Sequence, residues 1–432
     1  MLQLIDGNND MTMNDDAGQH SKYKEIIFGD GSFDDCVRIA SMIDGSYVLD
    51  ENQLDQLQVE EALESSLIPQ TVVEYVASCE TTDLITVMLR NRLLSNVFAA
   101  QYLRKQLMSN EVPSEPHRSL ISNSQFLNGT KQFLKYFLRT HKIFERSGYA
   151  SSRFSHSSSV QNTLYNRNGI IEDKERIWWA EQLNVDADIL EELSVSSVEL
   201  LEILKKCSGF ETEPAVLAHL FFNKNLTIDD VSVLVEEMPL SCGGDVWEIR
   251  QLLLFIAVLL RDDWTADELR FLYQAWLKFV EKVEEGLGSL ETNSAPVLEF
   301  ISASQLLRDF QALVPEVNIL VATNETAPVD VLMNVFGNGD KNTRAAVVRN
   351  PGVGRDFAQA VLFNDVNMVS DMCSTRVLEN DVHELREHAA WNSSLPFDVL
   401  SNLYEDEKES VEVRFSALFN TNIPSFIRLL YC

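Results

Sequence analysis

One short pattern, repeated seven times, constrains this chain more than any other feature. It consists of a polar junction residue, an apolar residue three positions on, a turn former at the fourth position and another apolar residue at the eleventh. The junctions are Ser65, Asn91, Asn223, Asn324, Asn350, Asn392 and Asn420. The third positions are Ile68, Leu94, Leu226, Ala327, Val353, Leu395 and Ile423, and the fourth are Pro69, Ser95, Thr227, Pro328, Gly354, Pro396 and Pro424. A further apolar residue precedes each junction by three, as Val347 precedes Asn350 and Ala389 precedes Asn392. Agreement at several offsets marks the copies as one local structure used repeatedly.

Helix capping explains the pattern. The helix before the junction must stop, and Asn tolerates the left-handed backbone that ends helices better than most residues. The next helix must start, and Ser, Thr or Pro supplies its cap or first turn, with Asp229, Asp230, Asp330, Asp356 and Asp398 placed near the positive end of its dipole. The apolar offsets then face one shared core, so each copy reads as a helical hairpin. Steps of 26 residues from Ser65 to Asn91 and from Asn324 to Asn350, and of 28 from Asn392 to Asn420, suit stacking. The longer step of 42 from Asn350 to Asn392 holds an insertion or a degenerate unit. Arg261 and Gln182 keep the apolar offsets without the Asn.

The segments TRAAVVRNPGVGRDFAQAVL, LREHAAWNSSLPFDVLSNLYED and VRFSALFNTNIPSFIRLL resemble the variant leucine-rich repeat, related in shape to HEAT-type repeats, in which units run R-x-x-A-x-x-N-x-x-x-P-x-x-x-L-x-x-L. The resemblance is clear over 317–432. It implies an all-α fold, an α-solenoid forming a right-handed superhelix of stacked hairpins, and binding surfaces in preference to any particular chemistry. Some members of that family carry an iron–sulfur module, but this chain has no cysteine cluster to match it.

The expected organisation follows: a short polar N-terminal extension over 1–50, a first helical array over 51–110, a basic amphipathic helix with flexible flanks over 111–170, degenerate repeats over 171–316 and the clearest repeats over 317–432. Within the extension, Asp30 to Asp35 reads as a polar turn and Cys36 to Ile43 as an extended piece. As a calcium loop the turn lacks Gly at its sixth position and Glu at its twelfth, where Ser41 stands.

Charge and cysteine usage narrow the function class. Acidic residues outnumber basic ones 66 to 35, a net charge of −31, which repels nucleic-acid phosphates at long range and favours a partner with a basic patch. Six scattered cysteines without C-x-x-C spacing suit a reducing, cytoplasmic setting, and no signal peptide or membrane span is visible. In His383-Glu384-Leu385-Arg386-Glu387-His388 the second His falls about 140° around a helix from the first, so a zinc-protease reading fails and a structural helix is expected. No nucleophile elbow, Walker or kinase motif occurs.

Two features are candidates for partner binding. Lys131, Lys135, Arg139, Lys142 and Arg146 recur at helical spacing beside Phe133, Leu134, Phe137 and Leu138, giving a basic amphipathic helix. It serves as a solvated outer face, packs on the acidic stretch of this chain or of a second copy, or meets an acidic partner, RNA or an anionic membrane surface. Trp178 and Trp179 are a core pair or, if exposed, a binding hot spot. The reading is a non-catalytic protein-interaction scaffold with no cofactor and no metal. The alternatives are a nucleic-acid-associated factor using the basic helix and an enzyme with its site on solenoid helices.

Overall fold

The computed structural model describes residues 33–43, 70–78, 95–108, 127, 129–131, 133–134, 221–222, 226–237, 254–292, 311, 314–428 and 430–431. Ser65, Asn91, Asn223, Lys135, Arg139, Lys142, Arg146, Trp178 and Trp179 lie outside the described residues. Among those described, the regular structure is helical and no strand occurs. The chain forms two compact units, one of residues 1–88 with 397–432 and the other of residues 89–396.

The discontinuous unit contains α1 (Phe33–Ile43), α2 (Gln70–Ser78), α12 (Phe397–Glu405), α13 (Val411–Leu418) and α14 (Ser425–Arg428). Its core is aromatic, with Phe415 stacked on Phe419 at 4.3 Å and the Tyr75 ring 4.4 Å from Phe419. The stretch expected to be extended, Cys36 to Ile43, is helical within α1. Phe33, Cys36, Val37, Ala40 and Ser41 are all buried, and that spacing of three and four lines one helix face, which outranks the local turn signals.

The larger unit contains α3 (Asn96–Met108), α4 (Ile228–Glu237), α5 (Ala266–Thr292), α6 (Val329–Asn338), α7 (Lys341–Arg349), α8 (Arg355–Leu362), α9 (Val366–Cys373), α10 (Glu379–His383) and α11 (Arg386–Ala390), with further helical residues at 254–260 and 314–322. Phe255, Trp276 and Phe279 form one aromatic cluster with centroids 5.1–5.7 Å apart. Phe336 and Phe357 meet edge to face at 5.1 Å.

The junctions set where helices begin. α2, α3, α4, α6, α8, α12 and α14 each start five residues after Ser65, Asn91, Asn223, Asn324, Asn350, Asn392 and Asn420 respectively, and α5 starts five after Arg261. The preceding residue is the cap. Thr227 and Asp230 satisfy each other's backbone N–H groups through their side chains at 2.9 and 3.3 Å, as Thr265 and Glu268 do at the head of α5 at 2.8 and 3.4 Å. Ser95 Oγ accepts from the Phe98 N–H at 3.1 Å. Gly354 takes the cap position with φ +82° and ψ 163°, a region open essentially to glycine alone.

Candidate docking surface

The described junction asparagines, Asn324, Asn350, Asn392 and Asn420, do not act as left-handed helix ends. Asn350 has φ −70° and ψ 123°, and the non-glycine residues with positive φ among those described are Asn364 and Ser374. Their side chains do the work instead. Asn324 Nδ2 donates to the Arg261 carbonyl at 3.1 Å, and Asn350 Nδ2 donates to the carbonyls of Ala322 and Asn324, each at 2.7 Å. Asn392 Nδ2 repeats the arrangement on Val348 and Asn350, at 2.7 and 2.9 Å. On the other side of each amide, Oδ1 accepts from the N–H two residues on: Thr326, Gly352, Ser394 and, at Asn420, Asn422. Only a side chain with both donors and an acceptor can serve both sides, and burial makes each bond obligatory.

Arg261 substitutes for Asn at its own junction by another route. Its guanidinium reaches the Leu226 carbonyl at 3.0 Å, pairs with Asp263 at 2.8 Å and lies 3.9 Å from the Trp264 ring. A second recurring contact comes from the arginine six residues before a junction. Arg344 Nε donates to the Phe336 carbonyl at 3.2 Å, Arg386 Nε to Leu362 at 2.7 Å and Arg414 Nε to Tyr404 at 3.1 Å. Each acceptor sits near the end of the preceding α6, α8 or α12, where helix carbonyls lack intrahelical partners.

This framework fixes what reaches the surface. Asp229, Asp267, Asp330, Asp356 and Asp398 all stand six residues after a junction, on the first turn of their helices, and all are exposed. Arg270 shows what such carboxylates hold: it donates from Nε and Nη2 to Asp330 at 2.8 and 2.9 Å and from Nη1 to Asp267. That fork keeps the Asp330 carboxyl below its ordinary range, chiefly through its hydrogen bond to Arg270. An open depression of about 750 Å³ lies beside α9, lined by Val366, Ser370, Asp371, Arg376, Leu378 and Glu379 among others.

Several buried polar groups carry structure that the sequence did not announce. Arg104 on α3 donates to Thr323 Oγ1 at 2.9 Å and to the carbonyls of Leu259 at 2.9 Å and Leu320, tying together two helix ends. Burial pulls its pKa down to about 10, against the opposing fields of Asp262 and Glu325. The Glu316 carboxylate accepts from the N–H groups of Gly129, at 3.1 and 2.8 Å, and Thr130, at 3.2 Å. His388 is buried, accepts from Arg349 Nε at Nδ1 at 3.0 Å, and turns Nε2 toward Glu387 Oε1 at 3.3 Å. Burial first, then the Arg349 and Lys341 charges, hold its pKa well below the ordinary imidazole value. The segment expected to be one helix through these histidines breaks between His383 and Arg386, so His383 closes α10 and His388 belongs to α11.

Of the basic stripe, Lys131 falls among the described residues and is 8% exposed, beside fully buried Phe133 and Leu134. No group of His, Cys, Asp and Glu among the described residues is arranged to hold a metal ion, and no described helix is long and apolar enough to cross a membrane. No protein-family model, curated protein or solved structure matches this chain.

Proposed function

We propose that this protein is a non-catalytic docking scaffold, an α-solenoid of the variant leucine-rich or HEAT-like kind whose acidic surface receives a basic patch on another protein. The observation that carries the reading is the pair of recurring contacts, Asn to the carbonyls of the preceding junction and Arg to the end of the preceding helix. Side chains at one sequence offset that make one kind of bond to one kind of acceptor are what a stack of equivalent hairpins requires. Such a stack repeats its exposed positions, and here the repeated exposed residue is aspartate, in a chain of net charge −31.

Capture on the immobilised full-length chain, washed at rising salt, tests this function. The expected result is a retained protein with a basic surface that elutes as ionic strength rises from about 0.1 to 0.5 M, where screening becomes short-ranged. Retention of nucleic acid alone, or of a partner indifferent to salt, overturns it.

A further inference from the structure

Four independent peculiarities meet in one short stretch of the larger unit. The first is length. Residues 363–378 join α8 to α10, whereas Gly339 and Asp340 alone join α6 to α7. The step from Asn350 to Asn392 is 42 residues where the step from Asn324 to Asn350 is 26, and the excess equals the length of 363–378. That stretch is therefore an insertion between two hairpins, and it carries α9.

The second is backbone strain. α9 is bracketed by the two described non-glycine residues in the left-handed region, Asn364 at φ 58° and Ser374 at φ 53°. The buried Asn364 Oδ1 has no hydrogen-bond partner. Strain of this kind persists where function requires it more often than in plain connections. The third is exposed apolar surface: Phe363 is 61% and Leu378 59% exposed, one at each end of the insertion, and Met368 is exposed between them. α9 itself buries only Val369 and Cys373. The fourth is the depression of about 750 Å³, formed by one side of α9 and the chain that follows it.

We propose that the α9 insertion is the place where the scaffold grips its partner, a segment with an apolar side chain flanked by Lys or Arg. The apolar side chain rests on Val366 and Leu378. The flanking cations meet Asp371 and Glu379, two carboxylates lining the depression against the single Arg376, none of which is in an ion pair among the described residues. This rests on the docking reading above and narrows it to one site and one ligand chemistry.

The test uses the full-length chain and a labelled synthetic peptide, Gly-Arg-Leu-Arg-Leu-Arg-Gly, with a control in which Glu replaces Arg. Binding is followed by anisotropy and by hydrogen exchange. The expected result is that the Arg peptide binds, the Glu peptide does not, and amides of Val366–Cys373 gain protection. Leu378→Ser, and separately Asp371→Lys with Glu379→Lys, should each weaken binding about tenfold, while Glu281→Lys with Glu284→Lys on α5, an equal change in charge, alters it less than about twofold. All these side chains are at the surface, so the variants keep the fold. Equal weakening by both charge pairs, with no effect of Leu378→Ser, overturns this site and leaves the docking function standing. No binding of the Arg peptide overturns this site, and the docking function then stands or falls on the salt-washed capture.

Discussion

Asn350 gives one amide hydrogen to the carbonyl of Asn324 and the other to that of Ala322, while its own oxygen receives the Gly352 N–H at 2.7 Å. Three backbone groups thus depend on one buried side chain. Asn350→Ala removes all three bonds, leaving the Asn324 carbonyl with the Ala327 N–H at 3.1 Å, and the expected loss is about 2–4 kcal/mol in chemical denaturation. Asn350→Asp is expected to cost at least as much, because a carboxylate offers no donor to two carbonyls. If Asn350→Asp matched the wild type, the amide would have no structural role.

Gly354 makes a cleaner test of backbone strain. A methyl group there would meet nothing within 4 Å, so any cost of Gly354→Ala comes from φ +82° alone. The expected destabilisation is about 1–3 kcal/mol, with unchanged helix content by circular dichroism. Gly352→Ala differs in kind, since its Cβ would lie 2.9 Å from Asn350 Oδ1 and 3.1 Å from the Ala327 carbonyl, pushing on the same junction.

Arg104→Lys should separate charge from shape. Lysine keeps the cation, yet its single ammonium cannot reach Thr323 and two helix-end carbonyls in the arrangement a guanidinium allows. A loss of about 2 kcal/mol is expected near neutral pH, where arginine remains charged even with its pKa drawn down to about 10. Equal stability of the two proteins would show that the fork geometry is dispensable.

His388 should make the fold acid-sensitive. Its folded-state pKa lies below the unfolded value of about 6.5, so the unfolded chain binds the proton more readily. Its contribution is complete above pH 6.5 and is lost as pH falls through the folded value, at up to about 1.4 kcal/mol per pH unit. Denaturation midpoints measured from pH 7.5 to 5 should fall for the wild type and flatten for His388→Gln. An identical slope in both would assign the acid response elsewhere.

These groups divide sharply in how far the sequence revealed them. Helix starts were legible because capping is local: Ser95, Thr227, Pro328, Gly354 and Pro396 each precede a helix by one residue. The role of Asn was half legible. Its offset was visible, but the left-handed explanation failed, because the Nδ2 acceptors lie 26 to 63 residues away and no local rule points to them. Arg104 and Glu316 left no signal at all. Their acceptors and donors are 155 to 219 residues distant, and a lone basic or acidic residue in a helical stretch looks like surface. The 42-residue step left an insertion and a degenerate unit both open and did not disclose a helix held between two strained corners.

The described junction amides of the larger unit point back along the chain: Asn324 to Arg261, Asn350 to Asn324, Asn392 to Asn350. Synthesis runs in the opposite sense, so each of these three asparagines leaves the ribosome with its acceptors already made. Each of these bonds can close as soon as its own asparagine is made, without waiting for any segment beyond it.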